Sequence, residues 1–336
     1  MSLFVKDIGV DFGTTKTIIY LKDKGIVFSE PTVVAMNELT GEVVAVGSEA
    51  KEIIGRTPEH ISAIRPIKSG VVSNFNAAEK LLKKCIDEVT GKTLFTKTRT
   101  LICVPSDITD VEQKAVEEIA YNAGAKEVYT IEKAIASAIG CGINIDSKEG
   151  TMILDIGGGT TEVAVLSMGG IVVSNSIKQG GTTMDKNIIE YIREKYNILV
   201  GDVTAEEIKT ELGTAITIMA KDKIQVKGRN ILTGLPDVLE VSTDDVSSAI
   251  TDTLMEIIKL INVTIEKTPP ELVSDITKNG IFVCGGGAYI KDIDRLITNM
   301  TGIPVTLAEA PTECTIKGIE KVIKNIELMR RTSRKK

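Results

Sequence analysis

The sequence is poor in cysteine and lacks any cysteine pattern that would bind a metal. Its five cysteines, among 336 residues, are Cys85, Cys103, Cys141, Cys284 and Cys314. No two of them form a CxxC pair, and their density is far below that of a secreted disulfide scaffold. We therefore expect reduced thiols in a cytoplasmic protein, and no metal held by cysteine.

Long apolar runs are also missing. A membrane-spanning helix needs about 18 or more consecutive apolar residues, and no such run occurs. The first twenty residues include Lys6, Asp7, Asp11 and Lys16, so they contain no apolar signal-peptide core. The sequence predicts a protein that is neither exported nor membrane-spanning.

An excess of positive charge is absent as well. The chain has 40 Lys and Arg against 46 Asp and Glu, which gives a net charge of −6. A protein of this charge has no overall electrostatic attraction for nucleic acid, so we expect no nucleic-acid partner. The hydrophobic residues, 43% of the chain, are enough to bury the cores of more than one domain.

The two common nucleotide-binding motifs, GxGxxG after a strand and GxxxxGK[ST], are not found. Instead, a strand followed by a glycine and threonine turn occurs twice, at Gly9–Thr15 and at Ile153–Thr161, each time before a second apolar strand. This pattern predicts two β-hairpins and an internal duplication. A third glycine cluster, Gly285–Gly287, follows a strand and leads into a helical pattern.

These turns have the composition of phosphate-binding loops. Glycines let backbone N–H groups approach phosphate oxygens, and threonine hydroxyls add further donors. Asp11 and Asp155 precede the turns, where a carboxylate would be repelled by phosphate unless it held Mg²⁺, directly or through water. A single turn of this kind is usually only a turn, but three in one chain favour a nucleotide site. The third cluster would admit a base or ribose against bare backbone.

Elsewhere strands alternate with helices, which predicts doubly wound α/β layers. The clearest helix begins at Thr109, with Glu112 in capping-box position and Val111, Ala115, Val116 and Ile119 on one face. Lys223–Val241 predicts a small strand-containing insert with turns at Lys227-Gly228 and Thr233-Gly234.

The glycine turns resemble those of the actin, Hsp70 and sugar-kinase superfamily, and the whole chain is similar to the bacterial actin MreB family. The family-specific stretches are Lys24–Val34, Gly55-Arg-Thr-Pro58, Ala63–Ile67, Gly180–Asp185 and Thr204–Lys209. The resemblance implies an actin-like α/β fold of two duplicated, doubly wound α/β domains with smaller inserted subdomains around a nucleotide cleft. It implies subdomain IA at 1–32, 66–145 and 312–336, IB at 33–65, IIA at 146–181 and 244–311, and IIB at 182–243.

The resemblance also implies the site residues. ATP or ADP with Mg²⁺ would be bound by phosphate-side and adenosine-side groups, namely Asp11, Gly13, Thr14, Thr15, Lys16, Asp155, Gly157, Gly158, Gly159, Thr160, Gly181, Glu206, Lys209, Gly285, Gly286, Gly287 and Tyr289. Asp11 and Asp155 would hold Mg²⁺ through water. From spacing alone, Glu206 and Lys209 could equally form an exposed salt bridge.

Three residues depart from the family pattern. Lys16 stands where Asn is usual, and Asn74 stands where Asp is usual. Lys133 occupies the position at which relatives have a water-positioning Glu, beside Glu132. Because an ammonium accepts no hydrogen bond from water, we expect slow ATP hydrolysis, with Thr160 left to hold the water. The alternative is that Glu132 takes over after a one-residue shift at the helix start.

The resemblance further implies filaments of the protein with itself, with paralogous filament proteins as additional partners. Leu94 and Phe95, an apolar pair in a lysine-containing loop, and the basic tail predict attachment to an anionic membrane at the inner face of the cell. The cationic side chains of the tail are Arg330, Arg331, Arg334, Lys335 and Lys336. The alternative is that the apolar pair packs inward and the tail is simply solvated.

Proteins of this superfamily have three other functions that we considered as alternatives. An Hsp70-like chaperone would need a substrate-binding domain, for which the chain leaves no room. A small-molecule kinase would need a catalytic acid and a substrate pocket, and no such constellation was identified. A plasmid-segregating filament would lack the family-specific stretches. The sequence therefore favours a cytoskeletal filament that governs cell shape, or motility in a wall-less cell.

Overall fold

The computed structural model describes residues 5–91, 97–216, 222–325, 328–329 and 332–335. The strands are β1 Val5–Phe12, β2 Lys16–Leu21, β3 Gly25–Pro31, β4 Val34–Asn37, β5 Val43–Val46, β6 Ile61–Ile64, β7 Ile67–Lys68, β8 Val71–Val72, β9 Lys97–Val104, β10 Glu127–Glu132, β11 Thr151–Ile156, β12 Thr161–Ser167, β13 Gly170–Ile177, β14 Ile198–Leu199, β15 Lys223–Asn230, β16 Pro236–Ser242, β17 Ile281–Cys284, β18 Val305–Leu307 and β19 Ser333–Lys335.

The helices are α1 Gly47–Glu52, α2 Phe75–Thr90, α3 Asp110–Asn122, α4 Lys133–Gly140, α5 Gly181–Tyr196, α6 Asp202–Leu212, α7 Thr243–Lys267, α8 Pro270–Asn279, α9 Ile293–Thr301 and α10 Cys314–Lys324, with 3₁₀ turns at Gly286–Tyr289 and Pro311–Glu313. None of the helices in the described ranges combines the length and the apolar character that crossing a bilayer requires.

The chain forms two compact units. Unit 1 comprises residues 1–148, 166–174 and 312–336, and unit 2 comprises residues 149–165 and 175–311. Each unit contains strands, helices and one of the two repeated turns. The finer division into four subdomains stays a prediction.

The main sheet of unit 1 has the strand order β19-β10-β9-β1-β2-β3. Strand β1 runs parallel to β9 and antiparallel to β2, so the first repeated turn joins a β-hairpin, as predicted. Three apolar side chains of this sheet, Ile8, Val10 and Ile102, are fully buried in one core with residues of α2 and α3 such as Leu81 and Ile119. Because this core fixes β1 and β9, it fixes the residues at their carboxyl ends.

The sheet containing β11 has the order β13-β12-β11-β17-β18. Strand β11 pairs in parallel with β17, which places Asp155 opposite Cys284. Met152, Ile153, Leu154 and Ile156 are at most 1% exposed, as expected for a strand covered on both faces. The arrangement repeats the hairpin with a parallel neighbour seen in unit 1.

The insert at Lys223–Val241 is a β-hairpin of β15 and β16, extended by β14. The predicted turn at Thr233-Gly234 is confirmed, but the predicted turn at Lys227-Gly228 is wrong, because both residues lie inside β15. A Cβ on Gly228 would lie 2.3 Å from Ile198 Cγ2. The glycine therefore marks the close approach of β14 and not a change of direction.

Helix α3 begins as predicted, with Thr109 as N-cap and a complete capping box to Glu112. Val111 was predicted on the same face as Ile119, yet it is 76% exposed while Ile119 is fully buried. Val111 lies in the first turn of the helix. The expectation for that residue is wrong.

Helices α4 and α10 of unit 1 pack at very short distance. A Cβ on Gly140 would lie 1.8 Å from the carbonyl oxygen of Cys314, and one on Gly318 would lie 1.8 Å from that of Ala136. The hydroxyls of Ser137 and Thr315 are 2.9 Å apart in the same contact. Contact through glycine and a buried polar pair fixes the register of α4 along α10.

Candidate functional site

The first glycine turn connects β1 to β2 in unit 1. It is closed by the Gly13 amide donating to the Lys16 carbonyl at 3.1 Å, and Thr32 Oγ1 donates to the Gly13 carbonyl at 2.8 Å. The amides of Thr14 and Thr15 donate to no acceptor in the described part of the chain. Two backbone amides without such an acceptor, in a turn closed by hydrogen bonds, suit an anion.

Asp11 lies at the end of β1, immediately before this turn. Its Oδ1 accepts a hydrogen bond from the Cys103 thiol at 3.1 Å. Burial raises the pKa of Cys103 well above its ordinary value, and the Asp11 carboxylate raises it further, while the Lys133 ammonium lowers it. The thiol is therefore protonated and acts as a donor, and Lys133 lies near enough for its charge to reach it.

Glu132 and Lys133 occupy the junction of β10 and α4. Glu132 ends the strand and is the N-cap of α4, with φ −65° and ψ 131°, whereas Lys133 is the first helical residue. Both side chains are partly buried. The junction therefore presents a carboxylate and an ammonium, from consecutive residues with different backbone conformations.

The other two departures, Lys16 and Asn74, are both exposed. Lys16 is exposed at the start of β2. Asn74 is the N-cap of α2, and its side-chain oxygen accepts from the Ala77 amide at 3.0 Å. Asn and Asp serve equally well at this position, so the replacement keeps the helix cap.

The second glycine turn follows β11 in unit 2 and has the same closure, with the Gly157 amide donating to the Thr160 carbonyl at 2.9 Å. Asp155 precedes it and is only 4% exposed. Gly159 is buried, yet neither its amide nor that of Gly158 donates to an acceptor among the described residues. A buried amide without an acceptor is costly, and here it points to a ligand.

The amino end of α5 packs directly on this turn. The amides of Gly181 and Thr182 donate to the carbonyls of Gly157 and Gly158 at 3.0 and 2.8 Å, and Thr182 Oγ1 also donates to Gly158 at 2.8 Å. A Cβ on Gly180 would lie 2.5 Å from the Gly157 carbonyl oxygen. The first amides of the helix are thus used to hold the turn, and the amides of the turn itself are left for a ligand.

The third glycine cluster allows close packing against the end of β11. A Cβ on Gly285, at φ +80°, would lie 2.7 Å from Asp155 Oδ1, and one on Gly287 would lie 2.1 Å from Ile156 Cγ2. Gly286 is exposed, and so is Tyr289, at 65%. Two of the three glycines therefore allow β17 and the 3₁₀ turn to lie against the end of β11.

Glu206 and Lys209 lie on α6, and both are partly buried. Lys209 Nζ is 2.7 Å from Asp185 Oδ1 and donates to the Gly181 carbonyl at 2.9 Å. The sequence left open a salt bridge between Glu206 and Lys209. The structure pairs Lys209 with Asp185 instead. Its partners are on α5.

Within the described residues no three or more His, Cys, Asp or Glu side chains converge on a metal position. Asp11 lies in unit 1 and Asp155 in unit 2. A single carboxylate beside each turn suits a cation such as Mg²⁺, which usually keeps several of its waters.

Sequence reasoning did not identify Cys103, Thr182 or Asp185. Cys103 follows Ile102, which is paired with Val10 in the parallel register, so it is the neighbour of Asp11 across the sheet. Thr182 and Asp185 belong to the stretch Gly180–Asp185, which was recognised without a role for either side chain. Pairing β1 in parallel with β9 would have placed Cys103 beside Asp11.

The proposed membrane elements fall mostly outside the described residues. Leu94, Phe95, Arg330, Arg331 and Lys336 are not described, and the side chains of Arg334 and Lys335 are not either. The backbone of Ser333–Lys335 pairs antiparallel with β10. The end of the chain thus forms an edge strand of the main sheet of unit 1.

Comparison with known proteins gives one consistent result. The sequence profile of the family described as MreB/Mbl protein matches residues 5–331. The chain is 42% identical over 325 residues to the cell shape-determining protein Mbl of Bacillus subtilis, covering 97% of this chain and 98% of the relative. It is 42% identical over 331 residues to the cell shape-determining protein MreB of Escherichia coli K12, covering 97% and 95%.

The solved structures agree with the sequence relatives. The crystal structure of MreB5 of Spiroplasma citri bound to AMPPNP superposes with a TM-score of 0.91 at 36% identity, covering 96% of this chain and 97% of that chain. The double helical filament of MamK has a TM-score of 0.82 at 20% identity, and it supports the fold alone. The predicted actin-like fold is confirmed, and the chain belongs to the MreB/Mbl family.

Proposed function

We propose that this protein is a nucleotide-binding cytoskeletal subunit that assembles into filaments and governs cell shape. Family membership supports this, because the relatives Mbl and MreB are named cell shape-determining proteins. The structural relative MreB5 is described bound to AMPPNP and to ADP. In this chain, the observation that carries the proposal is the buried Gly159 amide, which has no acceptor among the described residues, together with the amides of Thr14 and Thr15, which have none there either.

Phosphate oxygens are the ligand that these amides suit. Gly13, Thr14 and Thr15 would bind from the first turn, and Gly157–Thr160 from the second, each turn held closed by its own backbone hydrogen bond. Mg²⁺, when bound, would neutralise phosphate charge. Asp11 and Asp155 would hold its waters, because each is the last residue but one of a strand that leads into a glycine turn.

The adenosine side would involve Glu206 on α6 and Gly286 with Tyr289 after β17. Gly286 and Tyr289 are exposed, and Glu206 is partly buried. Bare backbone at Gly286 lets a flat ring approach, and the Tyr289 ring provides an aromatic face. These assignments follow the family resemblance.

We further propose that ATP turnover is slow. Lys133, the first residue of α4, has only hydrogen-bond donors and cannot accept from an attacking water. The close contact of Gly140 and Gly318 with the facing helix opposes the one-residue shift that would bring Glu132 into its place. Such a shift would move Ile139 into the position of Gly140, where even a Cβ lies 1.8 Å from the Cys314 carbonyl oxygen.

Attachment to an anionic membrane surface is a separate proposal and rests on sequence. An apolar pair at Leu94 and Phe95 suits insertion between headgroups, and each basic residue of the tail contributes about 1 kcal/mol near anionic lipid. Co-sedimentation with phosphatidylglycerol vesicles should fall for the combined Leu94→Ser and Phe95→Ser variant. Unchanged co-sedimentation of that variant and of a tail-truncated chain would remove this proposal.

Titration with Mg-ATP tests nucleotide binding. Asp11→Ala and Asp155→Ala should each weaken binding in a fluorescence titration, whereas Asp237→Ala, on the exposed β15–β16 hairpin, should not. Equal affinity of both site variants and the parent would show the assignment to be mistaken.

A further inference from the structure

The carboxyl ends of three neighbouring parallel strands, β1, β9 and β10, lie side by side in the main sheet of unit 1. Val10 is paired with Ile102, and Cys103 is paired with Ile131. Asp11 and Cys103 are therefore neighbours across β1 and β9. Because neighbouring strands are about 4.8 Å apart, the end of β10 lies roughly 10 Å from Asp11. A long side chain from the end of β10 can span that distance.

Lys133 follows the end of β10 and starts α4. Glu132 has an extended backbone, with φ −65° and ψ 131°, so side-chain alternation continues through it and puts position 133 on the side of Ile131. That is also the side of Cys103, because residues paired in register point to the same face of a sheet. The flexible four-carbon stem of lysine can then bring the ammonium to the cysteine and the aspartate.

Both charged groups act on the Cys103 thiol, which is only 9% exposed. Asp11 Oδ1 accepts its hydrogen bond at 3.1 Å. The pKa of the thiol is raised mostly by burial and then by the Asp11 carboxylate, and it is lowered by the Lys133 ammonium. The carboxylate and the ammonium therefore lie close enough to interact, in a place where charges are screened much less than at the surface.

The first position of a helix is unfavourable for a lysine unless an anion lies nearby. The amino end of a helix has a partial positive charge, which repels an ammonium. The first turn of α4 contains no acidic residue, and alternation directs the side chain of Glu132 to the other face of the sheet. Asp11 is the carboxylate on the same face as Lys133, so it is the group that compensates the ammonium.

We propose that Lys133 is the counter-ion of Asp11, so that removing Mg²⁺ weakens nucleotide binding less than it would without this ammonium. Beside the first glycine turn, the ammonium neutralises a carboxylate that would otherwise repel phosphate oxygens. The residues involved all belong to unit 1. The inference rests on the proposed nucleotide binding and deepens it.

This role differs from the effect of Lys133 on an attacking water. A residue that only fails to accept a hydrogen bond from water changes the rate of hydrolysis and leaves the affinity for an unhydrolysed nucleotide unchanged. A counter-ion of Asp11 changes that affinity when Mg²⁺ is removed, because its loss leaves a poorly solvated carboxylate uncompensated beside the phosphates. AMPPNP, a nonhydrolysable analogue, separates the two effects.

The experiment is calorimetric titration of the full chain with AMPPNP, in excess Mg²⁺ and in EDTA, below the concentration of assembly. The measured quantity is the ratio of the affinity with Mg²⁺ to the affinity in EDTA. In Lys133→Met this ratio should be about 10-fold larger than in the parent, the range for loss of a hydrogen bond to a charged group. Lys133→Arg keeps the positive charge and should stay near the parent ratio.

Lys321→Met is the matched control. Lys321 Nζ donates to the Ile139 carbonyl at 2.8 Å, near the other end of α4. Its replacement removes a cation that contacts the same helix away from Asp11. The ratio of the two affinities should stay at the parent value.

A second measurement needs no nucleotide. Urea unfolding of Lys133→Met, Asp11→Asn and the double variant gives the coupling between the two side chains. If they form an ion pair, the double variant should lose less free energy of unfolding than the sum of the two single losses. The same curves show that each variant is folded.

A parental ratio in Lys133→Met, an arginine variant that behaves like the methionine variant, or additive losses in urea would each overturn the inference while leaving nucleotide binding intact. A parent protein that bound AMPPNP neither with Mg²⁺ nor in EDTA would overturn the proposed function, and the inference with it.

Discussion

The Cys103 thiol donates a hydrogen bond to Asp11 Oδ1 at 3.1 Å, between neighbouring parallel strands of unit 1. The raised pKa of the thiol keeps it protonated, so this donor is always present. The bond fixes the orientation of the carboxylate that we propose to face the phosphates and Mg²⁺.

Replacing the thiol tests its role in orienting Asp11. Cys103→Ala removes the donor and should weaken Mg-ATP binding about 5-fold, corresponding to roughly 1 kcal/mol for one hydrogen bond. Cys103→Ser keeps a donor of similar size and should retain most of the affinity. Fluorescence titration at several Mg²⁺ concentrations is the measurement, and an alanine variant with parental affinity at all of them would exclude the role.

Lys133→Glu should raise phosphate release from ATP. The carboxylate accepts a hydrogen bond from the attacking water, and a positioned base contributes about 10²-fold or more in rate. Lys133→Met is the matched control, because it removes the charge without adding an acceptor and should stay slow. A steady-state phosphate-release assay compares the three proteins. If the parent were as fast as the Glu variant, Lys133 would not be limiting turnover.

Asp245 should make the free energy of unfolding depend on pH in the acidic range. Burial alone would raise its pKa, but hydrogen bonds from Lys195, Ser242 and Tyr196 outweigh it and lower the pKa to about 2. Because this lies below the unfolded value of about 3.9, the stabilisation is fully present above about pH 4 and is lost as pH falls toward 2. Asp245→Asn should lower the free energy of unfolding at pH 7. It should also make that free energy change less as the pH falls from 4 toward 2.

Urea unfolding monitored by circular dichroism from pH 7 to pH 3 measures this effect. The expected loss at pH 7 is about 1–3 kcal/mol, because a buried charged acceptor and its capping-box role are removed together. Equal losses for Asp245→Asn at pH 7 and at pH 3 would contradict the account.

Gly318→Ala should destabilise unit 1 through the contact of α4 with α10. Its Cβ would lie 1.8 Å from the Ala136 carbonyl oxygen, so the helices must separate, at a cost of about 2 kcal/mol or more. Gly170→Ala, which meets nothing within 4 Å, is the control. Thermal unfolding should show a lower midpoint for Gly318→Ala only, and similar midpoints for both variants would refute tight packing here.

Local patterns predicted much of the fold. The two hairpins, the Thr109 capping box and the β15–β16 insert follow from turn residues and alternation, which act between near neighbours in the chain. The turn expected at Lys227-Gly228 was wrong because that glycine serves contact with Ile198, which lies about thirty residues away in sequence.

The candidate site likewise combines residues that local patterns predict with residues that only contacts distant in sequence bring together. Asp11 and Asp155 could be found because strand, carboxylate and glycine turn are contiguous. The partners Cys103 and Asp185 could not, because each depends on which strand or helix lies alongside. The exposure of Val111 was missed because helical periodicity specifies a face but not where along the helix the core ends.

Sedimentation of the purified protein tests the central claim, nucleotide-dependent self-assembly, most directly. With Mg-ATP or AMPPNP, the parent should enter the pellet on ultracentrifugation above a critical concentration. Asp155→Ala should stay in the supernatant at the same concentration, because it binds the nucleotide weakly. A parent that remained in the supernatant at every concentration, while binding AMPPNP in solution, would contradict the assignment as a filament subunit.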